Sequence, residues 1–298
     1  MGHISHQAAK RLVEQKIVLG IELDKESLPM FCQTCAKAKP TRKPILKERA
    51  NSPARQLGDK IHSDVWGPTT PTSYNAKSYY VSFTDDHTHW SMVKCITKKS
   101  DVVSRYKDYE AWMDTQHSCK IKILQSDCGG KYLSDDFNAY LKRKGTVRHL
   151  TVHDTPEENG VAEHLNRTLL EHTHAMIIAA NLPKNLWPEA IHHAVWLKNR
   201  TSTRALNGKT PYEMLFGVKL NLRGLPEWGA RILVMTQAAS KLDARSEEAR
   251  WVGYSGTSQG HHVYRPSTHR ISVERNVTFE GEVLLPPVVL DVAPIVGE

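Results

Sequence analysis

The order of secondary-structure signals between residues 54 and 217 constrains the fold most. Three aromatic and β-branched runs come first, at Ile61 to Trp66, Ser78 to Thr84 and Trp90 to Thr97. Helical periodicity and short strand signals then alternate up to residue 217. Successive strands followed by a helix–strand alternation are typical of a mixed sheet with helices on its faces. We therefore expect an α/β core built on a mixed five-stranded sheet.

Capping residues delimit the helices expected in this core. Ser134 has the side chain of a helix N-cap, and Gly145 is the kind of residue that ends a helix. A longer helix is expected over residues 159–181 and a further one over residues 186–198. The fourth and fifth strands are expected at Lys120 to Gln125 and Val147 to Val152.

Beyond about residue 220 the pattern changes to short strands separated by turns. These strands are expected at Arg231 to Met235, Arg250 to Tyr254, His261 to Tyr264 and Arg270 to Phe279. The last of them alternates apolar and polar residues, which is the period of a half-buried strand. We expect a small β barrel over residues 220–280 and a disordered tail over residues 281–298.

Composition excludes several classes of protein and favours a polyanionic partner. Forty Lys and Arg against 32 Asp and Glu give a net charge of +8 and a pI near 9.1, which suits nucleic acid. No apolar run approaches the ~18 residues of a membrane span, and no apolar signal core is present, so neither a membrane protein nor a secreted one is expected. Five cysteines are an odd number for a disulfide framework and fit a reducing compartment.

Three acidic residues fall where the expected elements could place a reaction. Asp64 lies within the first strand, Asp127 follows the fourth strand, and Glu163 lies in the first turns of the long helix. A carboxylate inside an apolar strand is costly unless it is paired or binds a cation. Two strand aspartates and a helix glutamate can meet at one point, where their oxygens suit Mg²⁺ or Mn²⁺. Two such ions would serve phosphodiester chemistry.

Placement alone does not decide this site, because the chain offers other acidic residues. The rivals are Asp85, Asp86, Asp135, Asp136, Glu157 and Glu158. The aspartate pairs fall in a turn or at a helix start, where they would cap backbone groups. The two glutamates fall in a loop that does not fix their geometry.

Three segments resemble the catalytic motifs of Ty1/copia-type retrotransposon integrases. They are His62-Ser63-Asp64-Val65-Trp66-Gly67-Pro68, Ser126-Asp127-Cys128-Gly129-Gly130 and Thr155-Pro156-Glu157-Glu158-Asn159-Gly160-Val161-Ala162-Glu163. The 35 residues between Asp127 and Glu163 match the interval of the family's D,D(35)E signature. Further matches are Asn166-Arg167-Thr168-Leu169, Lys198-Asn199-Arg200 and Thr210-Pro211-Tyr212-Glu213, and the similarity runs from about residue 2 to residue 279.

The resemblance implies a fold and an activity. It implies a ribonuclease H-like catalytic core over residues 54–217 and an SH3-like β domain over residues 220–280. The catalytic and metal-binding roles of the family fall on Asp64, Asp127 and Glu163, with Mg²⁺ or Mn²⁺ as cofactor. The implied activity is that of a polynucleotidyl transferase and endonuclease, which trims the 3′ ends of element DNA and joins them to target DNA. The implied partners are element and target DNA, RNA and further copies of the chain, in the nucleus after a cytoplasmic stage.

The first 50 residues resemble part of the zinc module that precedes such cores. Cys32 and Cys35, with His3 or His6 upstream, have the composition of a zinc knuckle. His3 matches the family's Gly-His ligand, whereas its other histidine would precede Met1; either the module is incomplete here or His6 replaces that ligand. We expect weak zinc binding, because a structural site needs four ligands. A redox role for the cysteine pair is disfavoured, since nothing around Cys32 resembles a redox fold.

Basic side chains near these elements are candidate contacts to the DNA backbone. The candidates are Lys131, Lys142, Arg143, Lys144 and Arg167. Contacts to phosphates predict binding that weakens with salt and depends little on base sequence. For the three residues of the expected helix end, a solvated surface without a ligand is the alternative interpretation.

Four positions depart from the family pattern. Lys131 stands where relatives carry an acidic residue, and His164, His172 and His174 stand where they carry Arg. Histidine is largely neutral at pH 7, so these changes remove positive charge from the long helix. They leave a second function open: a decayed, non-enzymatic remnant of a transposable element that still binds nucleic acid.

Overall fold

The computed structural model of the chain describes residue 14 and residues 54–127, 134–150, 160–219, 222, 224–236, 244–256 and 258–280. Contacts divide the chain into two units, Met1–Ala50 and Asn51–Glu298. The elements below all lie in the second unit. Apart from residue 14, the expected zinc module lies outside the described residues, as does the tail 281–298, and both stay predictions. No helix among the described residues is long and apolar enough to cross a membrane.

The first sheet is mixed and five-stranded, as expected. Its strands are β1 (Ile61–Trp66), β2 (Tyr79–Asp85), β3 (Ser91–Ile96), β4 (Ile123–Ser126) and β5 (Val147–Leu150). Their order is β3-β2-β1-β4-β5. The pairs β1–β2 and β2–β3 are antiparallel, whereas β1–β4 and β4–β5 are parallel. The order places β1, which carries Asp64, at the centre of the sheet.

Helices cover both faces of this sheet. They are α1 (Val102–His117), α2 (Asp135–Lys144), α3 (Gly160–Ala180), α4 (Trp187–Arg200) and α5 (Pro211–Phe216). The expected limits of α2 are confirmed: the Ser134 side chain accepts a hydrogen bond from the Phe137 backbone N–H at 3.3 Å, and Gly145 follows with a left-handed φ of 77°.

The two faces of the first sheet bury different apolar clusters. Ile61, Val81 and Phe83 pack with residues of α1 and α2, whereas Tyr80 packs with residues of α3 and α4. Successive residues of a strand point to opposite faces. Asp64 is therefore on the α3 side, since its register partner on β2 is Ser82, two residues from Tyr80.

The second sheet is also five-stranded, and all its pairs are antiparallel. Its strands are β6 (Arg231–Met235), β7 (Ser246–Tyr254), β8 (His261–Arg265), β9 (Arg270–Glu274) and β10 (Val277–Phe279). Their order is β10-β6-β7-β8-β9. Its apolar core is formed by Ile232, Val234, Ala249, Trp251 and Val263. The β architecture expected beyond residue 220 is present as a sheet distinct from the first.

The prediction of one continuous strand over Arg270 to Phe279 is wrong. β9 ends at Glu274, and β10 pairs with β6 at the opposite edge of the sheet. The break falls at Arg275 and Asn276, where the Asn276 carbonyl accepts a hydrogen bond from the Met235 N–H at 3.2 Å. Alternation of apolar and polar residues reports which face a side chain occupies, not which strand is its partner.

Helix α4 contacts both sheets, through β3 and through β7. His192 Nε2 lies 3.8 Å from Cys95 Sγ on β3, and the His193 ring lies 5.2 Å from the Trp251 ring on β7. Burial lowers the pKa of His192 to about 3 and that of His193 to about 4. Both sheets belong to the same unit, so the expected domain boundaries at residues 217 and 220 stay predictions.

Candidate active site

Asp64 is a half-buried carboxylate near the middle of the central strand. Its Oδ1 accepts a hydrogen bond from the Val65 backbone N–H at 2.8 Å. Its Oδ2 accepts one from Asn166 Nδ2 of α3, also at 2.8 Å. A carboxylate that is partly removed from water needs hydrogen-bond donors, and these two N–H groups supply them. The side chain is therefore held in one orientation by its own strand and by α3.

Asp127 is brought next to Asp64 by the parallel register of β1 and β4. The last paired residues are Ser63 and Ser126, and each aspartate follows directly after one of them. Neighbouring strands lie about 4.8 Å apart, so the two positions adjoin at one level of the sheet. Asp127 is half-buried, like Asp64. The sheet thus places the two expected aspartates side by side.

Glu163 lies in the first turn of α3 and is exposed. Asn166, which contacts Asp64, comes three residues later on the same helix. Residues three apart are neighbours on a helix surface. The hydrogen bond from Asn166 therefore holds the first two turns of α3 against β1, the strand that carries Asp64. Glu163 lies in the first of these turns.

The chemistry of these side chains fits a hard divalent cation, because Mg²⁺ prefers carboxylate oxygens. In the described part of the chain, however, no group of three or more His, Cys, Asp or Glu side chains is arranged so that it could hold a metal ion. Convergence of Asp64, Asp127 and Glu163 on shared ions therefore stays a prediction.

Two rival acidic residues, Asp85 at the end of β2 and Asp86 directly after it, serve the fold. Asp85 accepts hydrogen bonds from the Gly58 N–H at 2.9 Å and from the Thr88 N–H and hydroxyl at 2.7 and 2.8 Å. Asp86 Oδ1 lies 2.7 Å from His62 Nε2, with both side chains buried. These contacts anchor the segment before β1 and the turn after β2. Asp135 and Asp136 lie in the first turn of α2, and Glu157 and Glu158 are outside the described residues.

The expected basic contacts of α2 are exposed in its last turn. Lys144 Nζ lies 3.5 Å from Glu110 Oε2, and Arg143 Cζ lies 6.0 Å from the Tyr140 ring centroid. Lys107 of α1, which is not among the basic residues expected from the sequence, places its Nζ 4.7 Å from the centroid of the same ring. Lys142 is exposed, as is Arg167 on α3, whereas Lys131 lies outside the described residues.

The expected zinc ligands cannot be placed. His3, His6, Cys32 and Cys35 all lie outside the described residues, so the zinc site stays a prediction. Cys95 and Cys119 are free thiols.

Tyr80 is a site residue that the sequence does not single out, and Asn166 is named there only within a further family match, without a role. Asn166 lies 102 residues from Asp64 along the chain, and Tyr80 lies 86 residues from Asn166. No local pattern connects residues so far apart. The available signal was the position of Asn166 one turn after Glu163, on the face that a shared site would use.

The family model and the protein relatives that match this chain all describe proteins of the retroviral or transposon Pol type. The family described as Retroviral polymerase SH3-like domain matches residues 230–291. The Retrovirus-related Pol polyprotein from transposon TNT 1-94 of Nicotiana tabacum is 29% identical over 95% of this chain, and the match covers 21% of that protein. The corresponding protein from transposon RE1 of Arabidopsis thaliana is 29% identical over 84% of this chain and 17% of its own length. The Ty1-LR3 Gag-Pol polyprotein of Saccharomyces cerevisiae is 25% identical over 74% of this chain and 13% of its own length.

Solved structures of integrases are also similar to this chain. The HTLV-2 integrase catalytic core domain in complex with magnesium, in its dimeric form, is 17% identical, covering 53% of this chain and 96% of that one, with a TM-score of 0.40. A simian T-cell lymphotropic virus intasome in complex with the PP2A regulatory subunit B56 gamma is 15% identical, covering 84% of this chain and 87% of that one, with a TM-score of 0.49. These TM-scores are low, so the two structures carry no argument about fold or activity.

The chain is therefore similar to the Pol polyproteins of retrotransposons. Within that class it resembles the integrase of Ty1/copia-type elements, and the resemblance inferred from the motifs is confirmed. The chain spans about a fifth of the tobacco polyprotein and less of the others, so the activity of the whole polyprotein does not transfer to it by similarity.

Proposed function

We propose that this chain catalyses metal-dependent 3′-end processing of element DNA and its strand transfer into target DNA. In this proposal the first sheet and its helices form a ribonuclease H-like catalytic core, and the second sheet forms an SH3-like barrel. The observation that carries the proposal is the placement of Asp64. It lies on the central strand, adjoins Asp127 across a parallel pair, and accepts a hydrogen bond at 2.8 Å from Asn166 of α3, the helix whose first turn contains Glu163.

The three carboxylates share one task in the proposed reaction, which is to hold the divalent ions. Asp64, Asp127 and Glu163 would hold Mg²⁺ or Mn²⁺, and such ions activate the attacking oxygen and stabilise the leaving oxygen of a phosphodiester. Asp64 is oriented by two hydrogen bonds before any ligand arrives. Glu163 is exposed at the beginning of α3, where it can meet an incoming strand.

The proposed partner is DNA, held through its phosphates. The net charge of +8 and the exposed ends of Lys142 and Arg143 support this partner. Lys144 has an acidic neighbour in Glu110, which lowers its availability for phosphate. We extend the proposal to association of several copies and to action in the nucleus, where target DNA resides. RNA stays an expectation from the resemblance.

The second candidate is a remnant that binds nucleic acid without catalysis. It is favoured by one observation: in the described residues no three His, Cys, Asp or Glu side chains are arranged to hold a metal ion. The resemblance agrees with it, since His164 stands beside Glu163 where the family usually carries Arg.

A strand-transfer assay separates the two candidates. The full chain is incubated with duplexes that match the element's ends, in Mg²⁺ or Mn²⁺, beside Asp64→Asn and the matched control Asp114→Asn, which alters an exposed carboxylate of α1. The proposal expects joined products from the wild type and from Asp114→Asn, and none from Asp64→Asn. DNA binding without products in either metal would favour the remnant.

The salt dependence of DNA binding tests the phosphate contacts. Each phosphate contact contributes about −0.9 to the slope of log K against log salt. The double variant Lys142→Gln, Arg143→Gln should reduce the magnitude of that slope by about 2. Lys120→Gln, at an exposed lysine outside α2, is the matched control. An unchanged slope in the double variant would remove these residues from the interface.

A further inference from the structure

A chain of two hydrogen bonds connects the interior of the first sheet to Asp64. The Tyr80 hydroxyl donates to Asn166 Oδ1 at 3.1 Å, and Asn166 Nδ2 donates to Asp64 Oδ2 at 2.8 Å. The exposed fraction is 0% for Tyr80 and 6% for Asn166. The chain therefore runs from a fully buried phenol to a half-buried carboxylate.

The Asp64 carboxylate selects the donating end of the Asn166 amide, and the Tyr80 hydroxyl donates to the other end. An asparagine amide has an accepting oxygen and a donating nitrogen that can exchange places. If they were exchanged, the amide oxygen would face the Asp64 carboxylate, which accepts hydrogen bonds but does not donate them. Burial, with the charge of Asp64 as a smaller cause, raises the pKa of Tyr80 well above its usual range. The phenol thus stays protonated and keeps its donor.

Packing fixes the position of that hydroxyl. The Tyr80 ring is stacked on the Trp66 ring, with centroids 5.4 Å apart and an interplanar angle of 28°. Trp66 in turn meets the edge of Trp187, the first residue of α4, at 6.2 Å. A ring packed between strand and helix cannot move its hydroxyl without displacing the core, so packing fixes the point at which the Asn166 amide is held.

We propose that Tyr80 and Asn166 are positioning residues, which hold the carboxylate of Asp64 in the orientation in which it takes a divalent cation. The inference rests on the proposed function, in which Asp64 is a metal ligand. A carboxylate has about four lone-pair sites, so it can accept these hydrogen bonds and still ligate an ion. Tyr80 acts through Asn166 and has no contact of its own with the reacting atoms.

Binding of Mn²⁺ to the full chain, followed by the electron paramagnetic resonance of the free ion, tests this role without an activity assay. Loss of an outer-shell partner typically costs 10–100-fold in metal affinity, so we expect a loss of about 10-fold in Asn166→Ala. Tyr80→Phe should weaken binding by less, since the amide remains. The double variant should bind no more weakly than Asn166→Ala, because the two residues act in series. Asp64→Asn, which lacks the proposed ligand, gives the level of Mn²⁺ binding that does not depend on Asp64.

Tyr109→Phe is the matched control. Tyr109 is buried on the other face of the sheet, and in the described structure its hydroxyl has no hydrogen-bond partner. This variant also removes a buried phenolic oxygen but should bind Mn²⁺ as the wild type does. A loss in Tyr109→Phe equal to that in Tyr80→Phe would show that general loosening of the core, and not positioning, is the cause, and would overturn the inference.

The side-chain amide of Asn166 gives a second readout in metal-free protein. Its two ¹⁵N-coupled protons should exchange slowly with water in the wild type, and faster in Tyr80→Phe. Unchanged exchange together with unchanged Mn²⁺ affinity in Tyr80→Phe would overturn the positioning role, while Asp64-dependent binding in the wild type would leave the proposed function standing. Absence of Asp64-dependent Mn²⁺ binding in the wild type would overturn both.

Discussion

The two sheets of this chain are stabilised by different chemistry. The strands β1 and β2 of the first sheet bury a set of polar side chains: His62, Ser63, Ser82, Thr84 and Asp85. The strands of the second sheet enclose an apolar cluster around Trp251, and their buried histidine, His261, accepts a hydrogen bond from Trp251 Nε1 at 3.1 Å.

The difference follows from what each sheet has to hold. Polar side chains buried in a sheet need hydrogen-bond partners, as Asp85, His62 and Thr84 have here, because unpaired buried polar groups are costly. A sheet whose core is apolar depends mainly on complementary apolar surfaces, within that core and against α4. The first sheet should therefore be most sensitive to lost hydrogen bonds, and the second to lost volume.

The largest effect is expected from Trp251→Ala in the second sheet. Trp251 is fully buried, and its ring contacts Tyr254 and Phe279. The cavity should lower the free energy of unfolding by about 3–5 kcal/mol, measured by urea denaturation. Met235→Ala, at a residue of β6 that is 63% exposed, is the control and should change it by less than about 0.5 kcal/mol. Equal losses in the two variants would contradict the dependence of this sheet on packing.

Asp86→Ala tests the polar interior of the first sheet. The variant leaves His62 Nε2 and the Ala54 N–H without the acceptor that lies 2.7 and 2.9 Å away. The expected loss in free energy of unfolding is about 2–3 kcal/mol, from unsatisfied buried donors. Asp108→Ala, which removes a half-exposed ion pair with Arg105, should cost about 1 kcal/mol or less. If Asp86→Ala lowers the free energy of unfolding by no more than Asp108→Ala does, the first sheet does not depend on its buried hydrogen bonds as proposed.

Acid should act on the helix that contacts both sheets. Burial lowers the pKa of His193 from 6.5 to about 4, so between these values the unfolded chain binds a proton that the folded chain does not. Above about pH 6.5 the histidine is neutral in both states and costs the folded state nothing. As the pH falls from 6.5 towards 4, protonation of the unfolded chain lowers the free energy of unfolding.

The variant His193→Phe isolates this contribution, because it keeps a ring beside Trp251 but cannot titrate. Between pH 7.5 and pH 5 it should lose less free energy of unfolding than the wild type, by on the order of 1–2 kcal/mol. Urea denaturation at both pH values measures it, and comparison within each variant removes the effect of altered packing. Identical losses would show that His193 is not a source of acid sensitivity.

The smallest effect is expected at the rim of the second sheet. Arg265 pairs with Glu247 and Glu274 across neighbouring strands, and all three side chains are partly exposed. Glu247→Gln should change the free energy of unfolding by less than about 1 kcal/mol, and by less still in high salt. A larger loss that persists in salt would indicate that this sheet also depends on its polar groups.

Local sequence signals determined which elements could be predicted. β1 and α2 were predicted within a residue because strong β-formers, an N-cap serine and a terminal glycine mark their limits. Helix α5 was not predicted, although Thr210 accepts a hydrogen bond from the Glu213 N–H at 3.0 Å and Pro211 begins the helix. Its six residues are too few to show helical periodicity, and the capping signal had to be read alone.

The site was predictable as residue types but not as contacts. The motifs singled out Asp64 and Asp127, and the parallel register places them side by side. Register itself depends on the pairing of β1 with β4, which local patterns do not report. The position of Asn166 one turn after Glu163 indicates the right face of the helix, but its bond to Asp64 depends on the packing of α3 on the sheet, which spacing does not report.

The pairing of β10 with β6 has a consequence during synthesis of the chain. One edge of β6 stays open until Val277–Phe279 have left the ribosome and reached Ile232–Val234. An open strand edge is a template for strands of other molecules. A nascent chain that has completed β9 but not β10 therefore exposes such an edge on the polysome, where identical chains are close by. In the described part of the chain, β10 covers this edge of β6 and replaces it with an edge strand of three residues, which is a poorer template for strands of other copies.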